Sequence, residues 1–97
     1  MICHSVFFSL KHPKGSPKEA GFLADALILA KIPGVIGFRR LRQTSRKTDL
    51  VFGFTMEFSD QAAYEGYDTH PDHTAFVRDR WIPEVEKFME IDYTQLD

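Results

Sequence analysis

Hydrophobic and polar residues repeat at two different periods along this chain, and the points where the period changes mark its elements. From residue 2 to residue 10, Ile2, His4, Val6, Phe8 and Leu10 fall on one side of an extended backbone, with Cys3, Ser5, Phe7 and Ser9 on the other. Strand side chains change face at every residue, so this segment is expected to be a strand whose strongly apolar face holds a lone histidine. A clearer alternation sets Leu50, Phe52, Phe54, Met56 and Phe58 against Val51, Gly53, Thr55 and Glu57. Helices must cover its apolar face, while the small or mixed side chains opposite suit close approach of another sheet or a partly polar interior. Val35 to Arg42 read as a further strand, followed by a polar hairpin connection from Gln43 to Thr48. Lys87 to Tyr93 form the last strand, with Met89, Ile91 and Tyr93 opposed to Phe88, Glu90 and Asp92.

Elsewhere the period lengthens to that of a helix. Ser16-Pro17-Lys18-Glu19 matches a capping box, in which serine caps, proline takes the first helical position and glutamate reaches back. Phe22, Leu23, Ala26, Leu27 and Ala30 follow at helical spacing, and Ile28 and Leu29 widen the stripe. Ile32-Pro33-Gly34 stops this helix. Ser59-Asp60 caps a short helix running through Tyr67. After the His70-Pro71 break, Asp72 is expected to cap another carrying His73, Phe76, Val77 and Trp81, which Pro83 limits or restarts.

Strand, helix, strand, strand, helical region, strand is the split βαβ order. The expected fold class is therefore α+β: a ferredoxin-like βαββαβ protomer whose four-stranded antiparallel sheet carries its helices on one face. That arrangement leaves the other face bare. With Phe7, Val51 and Tyr93 on it, a partner sheet is the economical cover, and a face-to-face homodimer is expected.

Composition narrows the partners. Ninety-seven residues, 43% hydrophobic, fit one domain spanning residues 1–97. Nine phenylalanines exceed what an ordinary small core needs, so a cavity wall or a subunit contact is expected to use some of them. Twelve basic against 14 acidic residues leave a net charge of -2, which lacks the basic footprint of a nucleic-acid binder. The lone Cys3 allows no intrachain disulfide and no cysteine-rich zinc site, and it points to a reducing compartment. The N-terminal segment lacks a basic leader, and no apolar run approaches the ~20 residues that span a bilayer. A cytoplasmic protein with no membrane partner is the expectation.

The densest chemistry lies in Tyr64-Glu65-Gly66-Tyr67-Asp68-Thr69-His70-Pro71-Asp72-His73, where two phenols and two imidazoles share one short stretch. Imidazole exchanges protons near neutrality, and a phenol can polarise or position a carbonyl. The alternative for Tyr67 and His73 is structural: histidines that cap a helix and bond the loop around Pro71, with the phenol packed beside them.

Taken together, His4 in the first strand, Ile32-Pro33-Gly34-Val35, Asp49-Leu50-Val51, Tyr67 followed by His70-Pro71-Asp72-His73, and Asp92-Tyr93 make the chain resemble the stress-responsive dimeric α/β-barrel (Dabb) family over nearly its whole length. The resemblance implies a protomer whose sheet pairs with a second into a barrel. One plant branch of that family, similar to olivetolic acid cyclase, closes a linear polyketide by aldol condensation with a tyrosine and a histidine that fall at Tyr67 and His73. On that reading His73 is the general base and Tyr67 positions the carbonyl, with no metal and no organic cofactor. His4 and His70 support orientation, and Val6, Phe8, Phe22, Phe54 and Phe88 line an apolar pocket for a small carbonyl-bearing or phenolic ligand. The chain departs from that cyclase at Asp25 and Phe52, which stand where it has other ring-bearing residues.

Two function classes therefore stay open. One is a stress-associated binder of a small molecule, and the other is a cofactor-independent enzyme of cyclase or monooxygenase type. Other features have plainer readings. His12 is expected to be solvated. Glu90 is expected to pair with Arg78 or Arg80. The run Arg39, Arg40, Arg42, Arg46 and Lys47 is expected to guard an edge strand. His4, His70 and His73 show no established metal-ligand spacing.

Overall fold

The computed structural model describes residues 1–97 and forms one antiparallel sheet with the helices on one side. Its strands are β1 (Ile2–Leu10), β2 (Ile36–Arg42), β3 (Phe52–Phe58) and β4 (Val85–Tyr93), in the order β2-β3-β1-β4. Helix α1 (Pro17–Asp25) follows β1, and α2 (Gln61–Asp68), α3 (Pro71–Phe76) and the single turn α4 (Ile82–Glu84) lie between β3 and β4. The ferredoxin-like α+β architecture is the one the strand and helix order predicts. No helix is long and apolar enough to cross a membrane.

Register carries the sequence alternation into three dimensions. Opposite β3, His4 faces Met56, Val6 faces Phe54 and Phe8 faces Phe52. Opposite β4, His4 faces Asp92, Val6 faces Glu90 and Phe8 faces Phe88. The even-numbered residues of β1 and β3 thus share the helix side, where Val6, Phe8, Phe52, Phe54, Met56 and Phe58 join Phe22, Ala26, Leu29, Tyr67 and Phe76 in a continuous core. Each such large side chain contributes roughly 1.5–3 kcal/mol by leaving water.

The first helical region differs from expectation in its second half. Ser16 accepts from the Glu19 amide at 3.3 Å, as the capping signal predicts, but the Glu19 carboxylate accepts from the Gly15 amide at 3.1 Å rather than from the cap residue. After Asp25 the chain tightens into a 3-10 helix over Ala26–Lys31. Three residues per turn then bring Ala26, Leu29 and Ile32 inward and turn Ala30, Leu27 (44% exposed) and Ile28 (43% exposed) outward. A continuous α-helical stripe through Leu27 and Ala30 is therefore not formed. Gly34, with a φ of 93°, supplies the left-handed turn that leads to β2.

A second correction concerns α3. His70, not Asp72, is its cap, and His70 Nδ1 accepts from the Asp72 amide at 3.1 Å. With Pro71 at the first helical position, the cap falls two residues upstream of Asp72. Beyond Phe76 the helix widens into a π-helical turn over Val77–Trp81 before α4. Pro83 has no N–H to return to the preceding turn and its ring needs room there, which accounts for an irregular end at this point.

Charged side chains lock the helical layer. Glu84 accepts from His12 Nε2 at 2.7 Å and from Arg80 at 2.5 Å, and Arg80 also pairs with Asp25. His12 is thus bonded rather than solvated. Arg78 is taken by Asp79 at 2.7 Å, so Glu90 pairs with neither arginine. On the opposite sheet face, Met89, Ile91 and Tyr93 lie exposed, and Phe7 lies across Gly53. A Cβ at residue 53 would sit 2.3 Å from Phe7 Cε2, so glycine alone lets that ring lie against β3. Strand β2 is an edge, and Arg40 on it donates to the Leu23 carbonyl at 2.9 Å.

Candidate functional site

Between the sheet and α2–α3 lies a cavity of about 330 Å³. His4, Val6, Phe54, Met56, Phe88 and Glu90 form its sheet wall. Tyr67 and Asp68 come from the end of α2, His73 and Phe76 from α3, and Val77, Trp81 and Ile82 from the turns that follow, with Leu29 beside them. The π-helical turn helps shape this wall, since both its terminal residues face the cavity.

Of the residues singled out in the sequence, His4, Val6, Phe54, Tyr67, His73 and Phe88 are brought together here. Phe8, Phe22 and His70 are not. Phe8 lies about 13 Å along β1 from His4, at ~3.3 Å per residue. It is fully buried beneath Trp81, whose ring centroid is 4.9 Å away. Phe22 is likewise fully buried, 5.7 Å from Phe8, so both rings back the wall without lining it. His70 spends its ring nitrogen on the α3 cap.

Short connections set the geometry of the polar groups. Six residues after Tyr67, His73 sits on the first turn of α3, and the tight Thr69-His70 link folds it back until its ring is 4.5 Å from that of Tyr67. His73 Nδ1 lies 2.8 Å from the Asp68 backbone carbonyl. A carbonyl can only accept, so Nδ1 carries the proton and, in the neutral ring, Nε2 keeps its lone pair. Tyr67 is 2% exposed, and its hydroxyl has no protein partner among the hydrogen bonds formed. Burial, reinforced by the negative charges of Asp68 and Glu90, pushes its phenol well above the ordinary tyrosine range, so it stays a hydrogen-bond donor.

Sequence reasoning missed a second polar group. Tyr64 donates to Asp92 Oδ2 at 2.6 Å, and His4 Nδ1 lies 2.5 Å from Asp92 Oδ1 and 2.8 Å from the Tyr64 oxygen. With the phenol proton directed to the carboxylate, His4 Nδ1–H is the donor to both oxygens. This satisfies a histidine that is only 6% exposed on an apolar face. Burial first, then Asp92, raises the Tyr64 phenol above its usual range. The signal was present in the alternation of the end strands, where His4 and Asp92 both fall on the helix side; which strand lies beside which was needed to read it.

His4, Glu90 and Asp92 have ligand atoms within 4.8 Å of one another and form the grouping best placed to approach a metal ion. His70 and His73 do not join it. The closed hydrogen-bond triad of His4, Tyr64 and Asp92 accounts for this arrangement with no ion. Chemically, the cavity offers a fixed proton acceptor in His73 Nε2, a donor in the Tyr67 hydroxyl and the carboxylates of Asp68 and Glu90, on otherwise largely apolar walls.

Comparison with known proteins agrees with this fold. A family model described as the stress responsive A/B barrel domain, Dabb, matches residues 2–95. The chain is similar to a Dabb-family protein with a ferredoxin-like fold from Mesorhizobium loti, at 61% identity and a TM-score of 0.98, covering 99% of this chain and 97% of that one. It shares its fold with the hydroxynitrile lyase of Passiflora edulis, at 16% identity and TM-score 0.82, covering 99% and 94% of the two chains. A dimeric ferredoxin-like protein of unknown function from Thermobifida fusca matches at 16% identity and TM-score 0.78, covering 97% and 90%. No curated protein sequence matches the chain. The family match and the identity to the Mesorhizobium protein, over a fold built from the same elements, establish that this chain belongs to the Dabb family of stress responsive A/B barrel domains.

Proposed function

We propose that this chain is a homodimeric small-molecule binder whose cavity takes a compact, mostly apolar molecule bearing a carbonyl or phenolic oxygen. The observation that carries the reading is the pairing of a partnerless buried phenol, Tyr67, with a histidine whose Nδ1 is committed to Asp68, both on the wall of one apolar cavity. Tyr67 donates to the ligand oxygen, and His73 Nε2 accepts from a hydroxyl or an acidic C–H. The dimer joins the open sheet faces, where Phe7, Met89, Ile91 and Tyr93 would otherwise remain in water. A fold relative described as dimeric supports this assembly.

A catalytic reading rests on the same pair. With Nδ1 held by a carbonyl, His73 Nε2 is set up as a general base for a proton alpha to a carbonyl, and Tyr67 stabilises the enolate oxygen that forms. That a fold relative is a hydroxynitrile lyase supports chemistry on small molecules in this fold, without specifying it for this chain.

One compound tests both readings. 4-Hydroxyacetophenone carries a phenol, a carbonyl and exchangeable methyl protons on one ring. In NMR titrations it is expected to shift the amides of residues 54, 67, 73, 81 and 88. Tyr67→Phe is expected to weaken binding about two- to tenfold, the worth of one hydrogen bond. Shifts scattered over the open sheet face would defeat the cavity assignment. Methyl deuterium exchange in heavy water that is accelerated by the wild type and lost in His73→Ala would establish the catalytic reading; equal exchange in both would leave a binder.

A further inference from the structure

The polar complement of the cavity is unbalanced. Glu90 and Asp68 are carboxylates that can only accept, and His73 Nε2 accepts because Nδ1 donates to the Asp68 carbonyl. Tyr67 is the donor without a partner. No lysine or arginine lines the space. The nearby guanidinium groups are committed elsewhere, Arg78 to Asp79 and Arg80 to Glu84 and Asp25. Asp92, beside Glu90 on the same face of β4, is already bonded by His4 and Tyr64 and adds no free acceptor to the lining. The remaining wall is aromatic or aliphatic, with Phe54, Phe76, Trp81 and Phe88 presenting ring surface.

We infer that the ligand is a small aromatic amine, bound as its ammonium ion with the charge beside Glu90 and its phenolic or carbonyl oxygen at Tyr67. The inference deepens the reading of the cavity as a binding site and rests on it. An ammonium group brings three donors and a positive charge to a space with surplus acceptors and uncompensated negative charge. Ring faces around such a group add cation–π attraction. The same field works against a carboxylate of equal size, since that ion would enter beside like charges with no cation to meet it. Tyr67 registers this field already: Asp68 and Glu90 both add to the effect of burial in holding its phenol protonated.

Three probes of nearly equal size and a shared phenol isolate the charge: tyramine, tyrosol and 4-hydroxyphenylacetate. Trp81 is the sole tryptophan and lines the cavity, so its emission on selective excitation reports binding of each to the intact protein. At neutral pH and low salt, tyramine is expected to bind about three- to tenfold more tightly than tyrosol, the range for a partly exposed ion pair, and 4-hydroxyphenylacetate more weakly than both. Added salt should narrow the spread. Glu90→Gln, an exposed edge-strand change, should bring tyramine down to the tyrosol value. Tyramine binding no more tightly than tyrosol, or a preference that survives Glu90→Gln, would overturn the inference while the cavity reading stood. Failure of all three probes to perturb Trp81 would remove the cavity reading and this inference with it.

Discussion

His73 donates its Nδ1 proton to the backbone carbonyl of Asp68 across 2.8 Å, five residues back in the chain. This bond fixes which ring nitrogen is free, and it ties the start of α3 to the end of α2. The less common neutral tautomer follows from it. Nitrogen-detected NMR of the histidine side chains above their titration range is expected to show His73 protonated at Nδ1 and bare at Nε2. A proton found on Nε2 instead would remove the acceptor on which the site's chemistry depends.

Tyr67 should govern the alkaline limb of stability. Its phenol is held above the ordinary range in the folded chain by burial, then by Asp68 and Glu90, whereas the unfolded chain titrates near ~10. Above that pH the unfolded state has lost a proton the folded state keeps, so stability falls as pH rises. Below it the contribution is complete. Denaturant midpoints measured from pH 8 to 11 are expected to decline at the upper end. Tyr67→Phe should flatten the decline, with Tyr64 supplying the remainder. An unchanged slope in that variant would show that Tyr67 does not titrate with unfolding.

Glu84 should act on the acid side. Burial pushes its carboxyl up, but hydrogen bonds from Arg80 and His12 outweigh that and hold it below its usual 4.5. A depressed carboxyl stabilises the fold above its unfolded pKa and loses that contribution as pH falls through the folded value. Glu84→Gln is expected to lower stability at pH 7 by about 1 kcal/mol or less, because the pair is partly solvated. Near pH 3 the two proteins should converge. A constant gap from pH 7 to pH 3 would contradict the linkage.

The open sheet face predicts the assembly. Ile91 is 53% exposed near the end of β4, between Met89 and Tyr93 on the same side. Ile91→Glu should bury a carboxylate from each subunit in an apolar contact. Analytical ultracentrifugation is expected to give a dimer for the wild type and a folded monomer for the variant at micromolar concentration. A wild-type monomer would eliminate the sheet-to-sheet dimer.

The same face explains Gly53. Phe7 occupies the volume a side chain there would need, with Cε2 2.3 Å from the Cβ position. Gly53→Ala is expected to displace that ring and lower thermal stability by about 1–3 kcal/mol. A crystal structure of the variant with Phe7 unmoved would contradict this.

Alternation along β1 and from Phe52 to Phe58 was enough to assign the strands, their inward faces and the ferredoxin-like order, because strand side chains obey a period that neighbouring elements do not alter; Leu50 and Val51 precede β3, and Val51, expected on the open face, packs against the core instead. Local signals likewise placed Ser16 and Asp60 as caps, since a cap needs only the chain within three residues of it. They failed where a local signal had two solutions. Ala26–Lys31 reads as a continuing α-helical stripe, but packing chose a 3-10 helix because Ala26, Leu29 and Ile32 then fill the core together. Tyr67 and His73 could be proposed as neighbours because one tight link joins their helices. The partners of Glu90 and His12 could not, because those depend on where β4 and α4 come to rest against distant segments. The sequence determined which side chains face inward; only the tertiary structure decided which inward-facing residues share a cavity, which fill the core and which charges meet, because strand order, strand register and helix packing join residues dozens of positions apart.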